Sequence, residues 1–274
     1  MNGIVIDIDP VIFRVGSLSV GWYGLAIALA ILAGILIAVR EGKRKGIAKD
    51  DVYLIALWGI AAAVVGARLF HVMENLDYYG SRPGAIFALQ QGGLAIWGAI
   101  VGGTLAVAIY AKRRGLPLAR IADGAVPALL VGQIIGRIGC IVNGDAYGDA
   151  TSLPWGFIYS HPGSSIPRDL LNVPTHPYPV YEMIWNLSIL LLLWTVRKRL
   201  KTNGLLFVSY VLLYSVGRFF LTFVRLEKTW FWGIQEAQVI ALIAFVASGL
   251  MMVYLLRKKG TPTSQKPLTE VHGS

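Results

Sequence analysis

The chain has 274 residues, 55% hydrophobic and 15% charged, whereas soluble domains carry about 25% charged residues. This composition excludes an ordinary soluble domain, and its long apolar segments predict membrane helices rather than barrel strands. The formal net charge of +10 records topology and contact with anionic headgroups, not nucleic-acid binding.

Residues 1–19 are short and mixed and predict a surface segment outside the membrane. Two aspartates and no basic leader argue against a cleaved signal peptide. The first span is expected at about Val20–Val39, with Trp22 and Tyr23 at its start as interfacial aromatics. The second starts near Val52 and is charge-free until Arg68. The third covers about Gly92–Ala111. The fourth starts near Ile121 and is broken by Arg137. A long polar loop follows from Asn143 to about Pro179, holding Pro154, Pro162, Pro167, Pro174 and Pro177. The fifth span is about Val180–Val196, the sixth begins at Gly204 and is broken by Arg218, and the seventh runs Ala237–Leu256. The expectation is an all-α, polytopic, seven-helix membrane protein with a single domain over residues 1–259 and a disordered tail over 260–274.

The loops after spans one, three, five and seven hold five, four, four and four of the 25 lysines and arginines. The positive-inside rule then places the N-terminus outside and the C-terminus in the cytoplasm. Spans two, four and six run outward. Arg68, Arg137 and Arg218 follow their estimated starts by 16, 16 and 14 residues. At about 1.5 Å per residue they lie roughly 21–24 Å from the cytoplasmic edge, toward the outer leaflet.

An arginine at that depth marks a functional site by default. Arg137 sits in Gly136–Gly148, a stretch rich in glycine with Asn143 and Asp145, expected to form the floor or wall of a polar pocket. Gly132 and Gly136 predict a small-residue surface for close helix packing. Tyr214, Arg218, Thr222 and Arg225 share one helix face, as do Gln133, Arg137 and Cys140. Acids nearby are few: Asp145, Glu182 and Glu74. Guanidinium matches phosphate with paired donors, so the expected ligand is a phosphate-bearing lipid headgroup from the outer leaflet. The only cysteine, Cys140, excludes an intramolecular disulfide and reads as a packing residue. Scattered histidines and no glycine-rich nucleotide loop predict neither metal nor cofactor.

At these residues the chain resembles the prolipoprotein diacylglyceryl transferase family. The family signature, roughly G-R-x-G-N-x-x-N-G-E-x-x-G, matches Gly136–Gly148 at most positions. Further matches are Trp22-Tyr23-Gly24, Gly66-Ala67-Arg68, Gly92-Gly93-Leu94, His176-Pro177, Val180-Tyr181-Glu182, and Tyr214, Arg218 and Arg225, in order from about residue 8 to 256. The resemblance implies transfer of a diacylglyceryl group from phosphatidylglycerol to the lipobox cysteine of an exported lipoprotein precursor, with release of glycerol phosphate. It implies anion stabilisation by Arg137 and Arg218, with Asp145 and Tyr214 also catalytic. Arg68, Tyr23, Asn143, Gly148, Trp97 and Arg225 would bind substrate. It also implies a bacterial cytoplasmic membrane location, with the precursor's signal peptide and membrane lipids as partners.

Four positions depart from the family pattern. Trp97 stands where many members have histidine, Cys140 replaces the signature's first asparagine, Asp145 its glutamate, and Thr222 a glutamate one turn after the arginine. Trp97 cannot be a general base. Asp145, His71 and His176 remain candidates to deprotonate the incoming thiol, or the cationic cluster alone lowers its pKa. These departures motivate an alternative, a non-catalytic relative that binds or translocates anionic phospholipid. A small-solute transporter fits less well, because its polar groups would lie near the midplane.

Overall fold

The computed structural model describes residues 3–16, 18–88, 92–226 and 233–258. Lys228 and the tail over 260–274 lie outside the described residues. The chain is built from α1 (Trp22–Arg44), α2 (Lys49–Glu74), a short α3 (Leu76–Ser81), α4 (Ile96–Arg113), α5 (Leu118–Asn143), α6 (Tyr178–Val196), α7 (Leu205–Leu221) and α8 (Glu236–Arg257). Among the described residues six helices are long and apolar enough to cross a membrane: α1, α2, α5, α6, α8, and α7 with its 3₁₀ extension to Val224. The other long helix, α4, has 18 residues and ends in Lys112 and Arg113.

Local chemistry explains most of the boundaries. Asp50 and Asp51 occupy the first turn of α2, where a helix N-terminus favours negative charge. Gln235 and Gln238 form a reciprocal capping box at the start of α8. Gly144, at φ 74°, ends α5 in the left-handed conformation that glycine tolerates.

The expected breaks at Arg137 and Arg218 are absent. Both arginines lie inside continuous helices, α5 and α7. Arginine is a good helix former, and a cation that finds a carboxylate at depth gives the backbone no reason to unwind. The third span also starts later than expected, because Gly92 and Gly93 have φ of 80° and 77° and stay outside α4.

The purely helical expectation also needs amending. Residues 4–21 form β1 (Ile4–Ile6) and a hairpin of β2 (Val11–Val15) and β3 (Leu18–Gly21). The segment after α5 contributes β4 (Phe157–Tyr159) and β5 (Pro174–Thr175). β1 pairs parallel to β4, Ile4 with Phe157 through Ile6 with Tyr159, and β5 closes the other edge of β4 antiparallel. Ile6, Phe157, Tyr159 and Ile166 form a core that rests on Ile141 and Val180. The polar loop is therefore a folded cap over one end of the helices. Proline spacing suggested irregular chain there, but the apolar pairs that build this core are too short to announce strands.

The cap also completes α5. The last four carbonyls of a helix lack intrahelical donors. Here Gly144 N–H donates to Cys140 O at 2.9 Å, Tyr159 OH to Ile141 O at 3.0 Å, and Ser165 N–H to Asn143 O at 2.8 Å.

Helix α1 packs along α5, α2 along α4, and α7 along α8, while α6 joins α5 to α7. Val126, Leu130, Ile189, Leu193, Leu206 and Tyr210 form the core between α5, α6 and α7. On α2 and α4, a methyl group at Gly66, Gly98 or Gly102 would collide with a facing backbone carbonyl, so that pair touches through bare backbone.

The end opposite the cap is held by ion pairs. Glu41 meets Arg44 at 2.7 Å and Arg197 at 3.3 Å, and Asp51 meets Arg114 at 3.2 Å. The fully buried Asp123 takes Lys45 at 2.7 Å and accepts from the N–H groups of Gly204 and Phe207, both at 3.0 Å, which caps α7 from a neighbouring helix.

Candidate active site

A cavity of about 1090 Å³ runs through the helices, with its polar end beneath the cap. Its floor is the α1–α5 seam. Its sides are α2 with α4, and α8. The polar end is formed by Arg137, Glu182, Tyr214, Arg218, Arg225, Tyr23 and Cys140, and Trp97 borders it from α4.

Glu182 is the hub. Its carboxylate is buried and lies 2.6 Å from Arg137 Nη2 and 4.0 Å from Arg218 Nη1. Tyr214 OH donates to its other oxygen at 3.4 Å. Tyr178, one turn earlier on α6, is fully buried; its hydroxyl accepts from Arg218. Arg225 covers the Tyr178 ring with its guanidinium carbon 4.9 Å from the ring centre, and Arg137 approaches the same ring at 5.8 Å. Such cation–ring contacts stabilise cations away from water. Arg137 of α5 and Arg218 of α7 thus share one carboxylate, and Arg225, just past the end of α7, joins them at one tyrosine.

Two glycines make this convergence possible. A side chain at Gly217 would overlap the Trp185 indole, whose N–H donates to Leu213 O at 3.1 Å. Without it, α6 and α7 could not bring Glu182 to Arg218. Gly148 is wedged between Val224 O and His176, and its N–H donates to His176 O at 3.1 Å. Together with the Asp149 N–H to Val224 O bond at 3.0 Å, this ties the Gly136–Gly148 stretch to the end of α7 and fixes Arg225 over Tyr178.

The predicted residues divide into three groups. Arg137, Arg218, Arg225, Tyr214, Tyr23 and Trp97 come together around the cavity. Asn143 and Gly148 lie in the cap's attachment, where their backbones are bonded. Asp145 is exposed, beside Cys140 and Tyr23.

Arg68 is elsewhere. It is buried and donates to the carbonyls of Ala85 (2.6 Å), Ile86 (2.8 Å), Gly92 (2.7 Å) and Gly93 (2.8 Å), in a separate small cavity with His71 and Tyr79. The expected trio of arginines becomes Arg137, Arg218 and Arg225, because the segment before α4 supplies enough carbonyls to satisfy Arg68 by itself.

The sequence marks Glu182 as a nearby acid and as part of the Val180-Tyr181-Glu182 match but assigns it no role, and it passes over Tyr178. Their i, i+4 spacing just after His176-Pro177 was the available signal. Gln133, aligned with Arg137, donates to Tyr210 OH at 2.8 Å.

Outside the spanning helices, burial raises the pKa of the Tyr159 phenol well above its ordinary value, with Asp145 and Cys140 adding to the effect.

The description of prolipoprotein diacylglyceryl transferases matches residues 10–254 of the chain. The chain belongs to the prolipoprotein diacylglyceryl transferase family. Relatives named phosphatidylglycerol–prolipoprotein diacylglyceryl transferase bear this out. The Clostridioides difficile protein is 36% identical over 94% of this chain and 100% of its own length. The Dehalococcoides mccartyi protein is 37% identical over 93% and 96%, and that of Synechococcus elongatus 36% over 94% and 91%. In this diacylglyceryl transferase family member, Trp97 and Cys140 stand at the cavity's polar end, while Thr222 is buried and donates to Arg218 O at 2.5 Å.

Proposed function

We propose that this chain transfers the diacylglyceryl group of phosphatidylglycerol to the lipobox cysteine thiol of exported lipoprotein precursors. The observation that carries this reading is the cluster of Arg137, Arg218 and Arg225 at the head of a long apolar cavity. The cations suit a phosphodiester, and the cavity suits two acyl chains.

The thiol sulfur attacks the glyceryl carbon that bears the phosphate ester. The carbon–oxygen bond breaks as the carbon–sulfur bond forms, giving a thioether. Glycerol phosphate leaves with the electron pair, and the thiol proton balances the new phosphate oxygen. Negative charge grows on that oxygen, so guanidiniums held in place by Glu182 and Tyr178 stabilise the transition state more than the ground state. Arg137 and Arg218 carry this role. Arg225 and Tyr214 complete the polar wall, and Tyr23 and Trp97 pack the substrate. His71 shares the separate small cavity with Arg68, and His176 Nδ1 lies 3.3 Å from Tyr181 OH. The cationic field lowers the thiol's pKa, and the exposed Asp145, beside Cys140, is the candidate carboxylate base.

The same reading makes all seven long helices spans of one unit over residues 1–259 in the bacterial cytoplasmic membrane. The N-terminus and cap face outward, the C-terminus is cytoplasmic, and the signal peptide, itself an apolar helix, reaches the polar end sideways from lipid. The basic loops support this orientation. The test supplies purified protein with phosphatidylglycerol and a lipobox peptide holding one cysteine. Mass spectrometry is expected to find the added diacylglyceryl mass, and none with a Cys→Ser peptide. No product from folded, lipid-binding protein overturns the transferase reading in favour of a lipid-binding relative.

A further inference from the structure

The α1–α5 floor of the cavity carries Gly34, Gly132 and Gly136, the last two at positions where sequence suggests close helix packing. The structure gives them a different geometry. A methyl group at Gly34 would lie 3.8 Å from Ala128 O, one at Gly132 3.9 Å from Ala30 O, and one at Gly136 3.8 Å from Ile27 Cδ1. These are ordinary contacts. Gly139, nearer the cap, differs: a methyl there would press on Ala26 Cβ at 2.9 Å. None of the three floor glycines has a positive φ. Neither helix contact nor backbone conformation therefore demands glycine, although glycine weakens a helix relative to alanine. What the missing side chains leave is cavity volume, continuous with the arginine cluster.

We propose that Gly34 and Gly132 set the acyl-chain capacity of the phospholipid donor site. This deepens the transferase reading and rests on it. Along α5 the cavity extends from Arg137 to Ile121, roughly 24 Å at 1.5 Å per residue. An all-trans chain advances about 1.2 Å per bond, as extended backbone does. The cavity thus accommodates about 20 bonds, enough for the long chains of a membrane phospholipid. It is deeper than the roughly 15 Å of one leaflet. Gly132 lies about 7.5 Å from the level of Arg137, and Gly34, opposite Ala128, about 14 Å. Counted from a phosphate at Arg137, about five bonds lead through the glycerol to an acyl carbonyl carbon; a bulky side chain at Gly132 therefore stops a chain about one bond further on, and one at Gly34 about six bonds further on. The floor acts as a ruler whose marks are glycines.

The experiment measures thioether formation by wild type, Gly132→Leu and Gly34→Leu with dihexanoyl, dioctanoyl and dipalmitoyl phosphatidylglycerol in detergent. Wild type is expected to use all three. Both variants are expected to lose at least tenfold in kcat/KM with dipalmitoyl donor. Dihexanoyl donor, with about five bonds beyond each carbonyl carbon, separates them, being kept by Gly34→Leu and lost by Gly132→Leu. Equal losses across all donors in Gly34→Leu assign the glycines to packing and overturn the proposal, as does unchanged use of dipalmitoyl donor by either variant. Gly132→Ala, which fits sterically, serves if the leucine variant does not fold, with a smaller shift in the same direction expected. Native mass spectrometry of the bound lipid reads the same chain-length order without turnover. A wild type that binds long-chain lipid but forms no thioether then refutes the transferase reading while leaving the capacity proposal standing.

Discussion

Glu182→Gln tests the polar hub most directly, because it keeps size and hydrogen-bonding capacity while removing one charge. In the native protein one buried carboxylate stands 2.6 Å from Arg137 and 4.0 Å from Arg218. At an effective dielectric of about 20, a pair at 4 Å interacts by about 4 kcal/mol. Breaking a buried pair leaves a cation uncompensated and costs about 3–5 kcal/mol. The variant without lipid is therefore expected to lose about that much stability. Phosphatidylglycerol brings an anionic phosphate to the same guanidiniums and should restore a large part of it. The assay is thermal unfolding followed by tryptophan fluorescence, with detergent alone and with detergent containing phosphatidylglycerol or neutral phosphatidylcholine. The expected pattern is a lower melting temperature in detergent, rescue by phosphatidylglycerol larger than in wild type, and little rescue by the neutral lipid. An unchanged melting temperature, or equal rescue by both lipids, would refute the idea that Glu182 and the lipid phosphate compensate the same cations.

Further outcomes follow from named contacts. Arg137→Ala is expected to abolish transfer while the protein still inserts, and Arg137→Lys to restore only a fraction, because a point charge lacks the paired donors; normal turnover in the alanine variant would end the phosphate-clamp mechanism. Trp97→Ala should raise KM for the donor and leave the pH profile of kcat/KM unchanged, since position 97 carries no titratable group. Arg68→Ala strips four short hydrogen bonds from the segment before α4. It should speed proteolysis there while changing the salt dependence of donor binding little, whereas an arginine that grips phosphate would change both. Tyr159 has its ionisation raised above the unfolded value near 10. Its contribution to cap stability is therefore complete below that pH and is lost as pH climbs through the higher folded value. Tyr159→Phe should cost about 1–3 kcal/mol at neutral pH by orphaning Ile141 O and should flatten the alkaline decline, both readable from denaturant unfolding across pH.

The long apolar runs and the arginine-bearing motifs were legible because membrane burial leaves so few ways to place charge. Apolar runs located each long helix to within several residues; of the expected face, Tyr214 and Arg218 lie on α7, whereas Arg225 sits past the helix end in extended backbone and reaches the cluster from there. Three things were hidden. Whether an arginine breaks a helix depends on a partner from elsewhere in the chain, so Glu182 decided the continuity of α5 and α7. The destination of Arg68 depended on carbonyls at 85–93, and backbone leaves no signature in side-chain identity. The cap escaped notice because strands of two to five residues give no usable alternation, and β1 and β4 are some 150 residues apart.

That last pairing has a consequence for how the protein is made. Ile4–Ile6 is synthesised well before its hydrogen-bonding partner Phe157–Tyr159, which emerges only after α1 to α5. β1 must therefore wait, unpaired, while those five helices are translated. The last carbonyls of α5 remain without their donors from Tyr159 and Ser165 until the same moment. Closure of the cap is then a late assembly step that couples the segment ahead of α1 to the one after α5. Extensions fused ahead of Ile4 would burden that step rather than the insertion of any single helix.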